Sequence, residues 1–250
     1  MRIAVLLIPL TVLVANDATK TMEDRSLNPT QRNNACYELR GATQPDILAT
    51  MRRALNDPQL RACAARNLRE AGAVDQFRDA LHDFQPEVRA VAARELGGFG
   101  KLEDLPSLGT ATSDSDLLVA SNAVYGLAMY PGKEPVQYLL EAARRGGITG
   151  EQALHLLAQR HEPQVLAVAR VLLASHAISD RLAAVSVIGQ MGDRTDLRVL
   201  REIELKETGE LSNKGRGFGL MPAFSLARAA KTAIDNIENR YPVQSGAPDK

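Results

Sequence analysis

Tryptophan is absent from this chain of 250 residues, and aromatic residues make up only 4% of it. That removes the flat platforms on which sugars and nucleobases usually stack. Nor is there a surplus of charge. Thirty Lys and Arg balance 30 Asp and Glu, so no global field draws the chain to nucleic acid or to an anionic membrane. The sequence also lacks G-x-S-x-G, H-E-x-x-H, Cys-x-x-Cys and any phosphate-loop motif, the signatures by which familiar hydrolases, metalloproteases, redox enzymes and nucleotide enzymes are recognised. His82, His155, His161 and His176 show no metal-ligand spacing, and no metal or cofactor is expected. What remains is 45% hydrophobic and 24% charged, the balance of a folded chain.

Long apolar runs are scarce too, with one exception at the start. "MRIAVLLIPLTVLVA" sets one Arg before about thirteen apolar residues, and polar "NDATKTMEDRS" follows. A bilayer core needs about 20 apolar residues, so the run reads as a secretory signal over residues 1–18, cleaved after Ala15 or Ala18. The expected location is periplasmic or secreted, with no stable membrane span after cleavage. The alternative is a chain tethered by an uncleaved N-terminal segment.

The body of the sequence repeats itself. "LRACAARNLREAG" (60–72), "VRAVAARELGGFG" (88–100) and "DRLAAVSVIGQMG" (180–192) align on Ala64, Ala92 and Ala184, each four residues ahead of Leu68, Leu96 or Ile188. That spacing puts both residues on one helical face. Gly72, Gly100 and Gly192 stand eight residues after the alanine, where a left-handed glycine would close the helix. A second apolar set follows each: Val74, Phe77 and Leu81; Leu102 and Leu105; Leu197 and Leu200. The same frame recovers Ala35 with Leu39, Ala123 with Leu127 and Ala153 with Leu157, so the alanines step by 29, 28, 31, 30 and 31 residues. A period near thirty with two short helices per unit predicts an all-α fold, an α-solenoid of stacked helical hairpins.

Six units are expected over residues 31–205, after a linker at 19–30. Beyond Leu205 the register breaks, and "KETGELSNKGRGFGLMP" (206–222) is read as an inserted loop. Residues 223–240 follow as a capping helix with Leu226, Ala230, Ala233, Ile234 and Ile237 on one face, and 241–250 as a frayed tail.

"VRAVAARELGGFGKLEDLPSL" and "DRLAAVSVIGQMGDRTDLRVL" resemble the short HEAT-like repeats of the phycobilisome-lyase type, loosely over residues 31–205. The resemblance implies a right-handed α-solenoid whose ridges bind other macromolecules. It does not imply bilin chemistry, since such repeats occur in many unrelated proteins and an exported chain would not meet a phycobilisome.

Few residues stand out as candidate sites. Cys36 and Cys63 fall one position after and one before their central alanines, leaving their helices about 200° apart. Two readings stand: a disulfide across the repeat junction, as an exported chain favours, or two small buried thiols beside alanines. In "SNKGRGFG", Lys214 and Arg216 alternate with glycines. The segment is either a plain connection or a binding loop for an anionic group. Arg61, Arg89 and Arg181 share a position three residues before the central alanine, and two readings stand: they pair with carboxylates such as Glu70, Asp104 or Asp196 between repeats, or they line one ridge as a strip for an acidic partner. Function is expected to be that of an exported, non-catalytic scaffold holding a protein or peptide partner, with no nucleic acid. The alternative is a lyase-like enzyme subunit or cofactor chaperone.

Overall fold

A computed structural model describes the backbone of residues 10–213 and 226–242 and the side chains of 17–206 and 226–242. Among the described residues every regular element is helical. The chain divides into two compact units, Met1–Tyr130 and Pro131–Lys250.

In the first unit, α1 (Leu10–Glu23) packs on α2 (Pro29–Glu38) and α3 (Pro45–Ala54). Then come α4 (Arg61–Glu70), α5 (Val74–Ala80), α6 (Pro86–Phe99), α7 (Leu105–Ala111) and α8 (Leu117–Met129). The even-numbered helices carry the repeated alanines and stack on one another, α2 on α4, α4 on α6 and α6 on α8. The second unit holds α9 (Val136–Arg145), α10 (Gly147–Gln159), α11 (Val165–Leu172), α12 (Ile178–Met191), α13 (Leu197–Asn213) and α14 (Leu226–Arg240). There α10 stacks on α12 and α12 on α14. Each unit is thus a solenoid stack of helical hairpins.

Local sequence explains where the helices begin. Pro29, Pro45 and Pro86 occupy first-turn positions, where a missing N–H costs nothing. Asn28 and Gln31 form a reciprocal capping box, and the Asp116 carboxylate accepts from the amides of Leu118 and Val119, filling donors that a helix start leaves open. The core follows the repeat. All six alanines, Ala35, Ala64, Ala92, Ala123, Ala153 and Ala184, are buried, as are Leu39, Leu68, Leu96, Leu127, Leu157 and Ile188. Burying a Leu or Ile contributes about 1.5–3 kcal/mol, and alanine beside it lets neighbouring backbones approach.

Several expectations are corrected. The segment 19–30 is not a linker throughout: α1 runs to Glu23, with Ala18 and Met22 buried, because its apolar side closes the end of the first hairpin. Nor is 206–222 a loop throughout. Residues 206–213 continue α13, a stretch whose Lys, Glu and Leu favour helix; 214–222 lie outside the described residues, as do 1–9, 223–225 and 243–250. Gly72 and Gly100 are left-handed, with φ of 68° and 64°. Gly192 is not; it is extended at φ −68°, ψ 173°. Glycine is needed there for room instead, since a Cβ would meet the Ile188 carbonyl oxygen at 2.5 Å and Asp196 Oδ2 at 2.6 Å. Leu102 is 56% exposed at the start of a 3-10 turn, and Leu105 and Leu108 fill the core instead.

The helix read as a cap also keeps the repeat register. Ala230 and Ile234 in α14 are spaced like Ala184 and Ile188 in α12, and both are buried. The units share a close approach as well. Gly97, five residues after Ala92, lies against α8 so tightly that a Cβ would stand 2.4 Å from the Gly126 Cα. Gly189, five residues after Ala184, meets α14 in the same way, 2.9 Å from the Ala233 Cα.

Candidate interaction surface

The structure joins Cys36 to Cys63 in a disulfide between α2 and α4, with Cα atoms 6.3 Å apart. Beside it the buried Asn67 donates to the Cys36 carbonyl oxygen at 2.7 Å. Lys214 and Arg216 lie outside the described residues. His82, His155, His161 and His176 are all exposed, and among the described residues no group of three or more His, Cys, Asp or Glu could hold a metal ion.

Two of the recurring arginines, Arg61 and Arg89, do join repeats, but not through the carboxylates expected. Arg89 makes a two-pronged pair with Asp114, at 2.9 Å on each oxygen, and also donates to the Asp83 carbonyl. Arg61 donates to the Leu55 carbonyl and to Gln85 Oε1. Arg32, in the same frame, pairs with Asp57 at 2.6 Å and donates to the Met22 carbonyl. Each arginine reaches the turn that opens the next even-numbered helix. Asp57, Asp83 and Asp114 shape those turns by accepting the amide two residues on, from Gln59, Gln85 and Asp116, a side-chain turn typical of Asp. Arg52 and Asn56 engage Asp83. The signal was present in the sequence as "NDPQ", "HDFQ" and "SDSD", and in Arg32 three residues before Ala35.

Charge follows from these contacts. The Arg89 guanidinium holds the Asp114 carboxyl below its ordinary range. Burial works against the ionised forms of Asp57 and Asp83, but the arginines and turn amides outweigh it and lower both. Asp104 and Asp196, almost wholly buried, are gripped by Arg78 at 2.7 Å and Arg170 at 2.8 Å. Glu70 pairs with Arg40 at 2.7 Å. The three carboxylates therefore hold other arginines because Asp104 and Asp196 face α5 and α11 and Glu70 faces the turn after α2, whereas Arg61 and Arg89 face the turns that open α6 and α8.

What the scaffold leaves exposed is a ridge on the first unit. Two residues after each central alanine stand Tyr37, Arg66, Arg94 and Tyr125, one on each of α2, α4, α6 and α8, and all are exposed. The Arg66 guanidinium lies 5.5 Å from the centroid of the Tyr37 ring, an attraction of about 0.5–1 kcal/mol at an exposed site. Leu118 and Met129 extend the α8 face, at 52% and 54% exposure. Phe84, in the turn before α6, is 82% exposed. Tyrosine, arginine and methionine are the residues enriched at protein interfaces.

In the second unit the surface feature is a cleft of about 300 Å³ between α12 and α14, lined by Leu182, Val185, Ser186, Gln190, Thr232 and Asn236 among others. It exists because Gly189 and Ala233 draw the two helices together below it.

Residues 74–147 match the family model for HEAT repeats. The stretch contains α5 to α8, with the Arg89 to Asp114 pair and the Gly97 to Gly126 approach. No curated protein matches the chain. Among solved structures it is similar to human deoxyhypusine hydroxylase in complex with glycerol, at 17% identity and a TM-score of 0.39, covering 92% of this chain and 97% of that one. It is also similar to the complex of CpcE and CpcF of phycocyanin lyase from Nostoc sp. PCC7120, at 16% identity and a TM-score of 0.42, covering 95% and 98%. An engineered protein matches at 15% identity and a TM-score of 0.33, covering 90% and 96%. Among the described residues no helix is long and apolar enough to cross a membrane.

Proposed function

We propose that the protein is an exported, non-catalytic HEAT-repeat scaffold that holds a protein or peptide partner in the periplasm or outside the cell. The observation that carries this reading is the ridge of Tyr37, Arg66, Arg94 and Tyr125, a row of interface-type side chains displayed by four stacked helices. The shifted carboxylates support it too, since Asp57, Asp83 and Asp114 are each engaged by an arginine and a turn amide in tying repeats together. Export draws support from the apolar run at the N-terminus and from the disulfide, a bond that persists in oxidising compartments. Cleavage after Ala15 fits best, because it keeps the buried Ala18 and Met22 in place.

The test is a crosslinked pull-down of the tagged full-length protein from the envelope fraction of its own organism, read by quantitative mass spectrometry. One protein recovered in stoichiometric amount is the expected result. Recovery of nothing above background would overturn the scaffold and turn attention to small-molecule ligands.

A further inference from the structure

Resting on the scaffold reading, we infer that the exposed ridge of α2, α4, α6 and α8 binds an extended acidic polypeptide segment laid across the helices, with carboxylates about three residues apart. The argument begins with charge. Two carboxylates on this ridge are already engaged: Glu70 receives Arg40 through both oxygens, at 2.7 and 3.0 Å, and Glu95 receives Arg69 at 3.2 and 3.3 Å. Glu38 remains at the α2 end. Arg66 is held over Tyr37, with a 3.5 Å contact to its hydroxyl, and the carboxylate whose charge it feels, Glu70, is already gripped by Arg40. Among the described residues Arg94 has no hydrogen-bond or ion-pair partner, and it is exposed. Among the described residues the ridge thus presents two guanidiniums that no carboxylate grips, although the net charge of the chain is zero.

Spacing then selects the occupant. Stacked helices lie about 8–10 Å apart, and Arg66 and Arg94 occupy the same register on adjacent helices. An extended chain in the polyproline II form advances about 3.1 Å per residue with three residues per turn, so side chains at i and i+3 share a face and are separated by about the same distance as the two arginines. Tyr37 and Tyr125 bracket the pair, and Met129 adds apolar surface at the α8 end, its Cε 3.6 Å from where a Gly98 Cβ would stand. Such rings pack on the backbone and aliphatic stems of a bound strand at little conformational cost. A guanidinium grips a carboxylate through two parallel bonds, which favours carboxylates over a merely apolar strand. With no net positive charge and no tryptophan, a polypeptide fits this surface better than a nucleic acid strand.

The experiment uses the full-length protein and a fluorescein-labelled (Glu-Ser-Gly)4 peptide, followed by fluorescence anisotropy. A (Gln-Ser-Gly)4 peptide and a twelve-residue oligothymidylate are the comparison probes. The glutamate peptide is expected to bind, and the Arg66→Ala, Arg94→Ala variant to bind it at least tenfold more weakly with unchanged circular dichroism. An Arg198→Ala, Lys231→Ala variant, which removes equal charge from the second unit, should bind it as the parent does. The inference is overturned if the parent ignores the glutamate peptide, binds the glutamine peptide equally, or prefers the oligothymidylate. It is also overturned if both double variants behave alike. The envelope pull-down separates the two failures. A partner recovered equally by parent and ridge variant removes the ridge and leaves the scaffold standing, whereas no partner for either removes the scaffold.

Discussion

The two units solve the same packing problem with the same frame and different chemistry at its edges. In both, a glycine five residues after a central alanine brings the next helix close, Gly97 against Gly126 and Gly189 against Ala233. In both, a buried aspartate twelve residues after that alanine is gripped by an arginine of the preceding odd-numbered helix, Arg78 on Asp104 and Arg170 on Asp196. At the turns they diverge. The first unit uses arginine to reach the next turn, as in Arg89 with Asp114. In the second, α12 keeps Arg181 at that position, but in α10 Gly150 stands there, where a Cβ would lie 3.2 Å from carbonyl oxygens of α9. There Asp180 instead accepts the backbone amide of Gly147 at 2.8 Å. The lesson is that the repeat conserves the distance between helices, while the group that ties their ends can be either side chain or backbone.

The core is where the comparison should break hardest. Leu96→Asp and Ile188→Asp each place an unpaired charge at a fully buried site and should each cost more than about 4 kcal/mol, read from urea unfolding. Near-parental stability of either one would show that its unit does not obey the frame.

The disulfide ought to separate the units next. Reducing Cys36–Cys63, which are 27 residues apart in sequence, should cost the first unit about 3 kcal/mol. The second unit contains no cysteine, so hydrogen exchange in α2 to α4 should rise on reduction while that in α12 and α14 stays constant.

Smaller still is the difference between the two close approaches. Gly97→Ala forces a Cβ to within 2.4 Å of backbone and should cost about 2–3 kcal/mol; Gly189→Ala, at 2.9 Å, should cost about 1 kcal/mol, helped by the better helix propensity of alanine. Equal melting temperatures would mean that both helix pairs yield alike.

The smallest effect is acid sensitivity. In the folded protein Asp114 titrates below its ordinary value of 3.8, held down first by the Arg89 hydrogen bond. A depressed carboxylate contributes stability that is present above its unfolded pKa and lost as pH falls through the folded one. Melting temperature should therefore hold near neutrality and drop below about pH 4, and Arg89→Ala should flatten that drop. An acid slope unchanged in Arg89→Ala would show that Asp114 does not depend on this partner.

Much of this was legible from position alone. The alanine and leucine frame, the hairpin and the α14 face all repeat in the sequence, because a helix buries the same side at every turn. The seventh copy of the frame was harder to see. Ala184 and Ala230 are 46 residues apart, outside the steps of 28 to 31, so α14 reads as a cap until its packing on α12 places it. The arginines were legible as a row but not by partner, since Glu70, Asp104 and Asp196 were equally available to them in sequence. The ridge escaped notice because Tyr37, Arg66, Arg94 and Tyr125 share a register and not a residue type.

By itself, then, the sequence determined which residues enter the core and at what period, because helical geometry fixes which side chains share a face. It also marked the two cysteines, and it carries the Asp-led turns as a local signal that the structure brought out. Only the tertiary structure decided that Gly192 is extended, that Arg89 meets Asp114, and that four unlike side chains form one exposed row. Each of these depends on how closely and in what rotation one hairpin stacks on the next, a contact made across about thirty residues of chain, and no local preference encodes it.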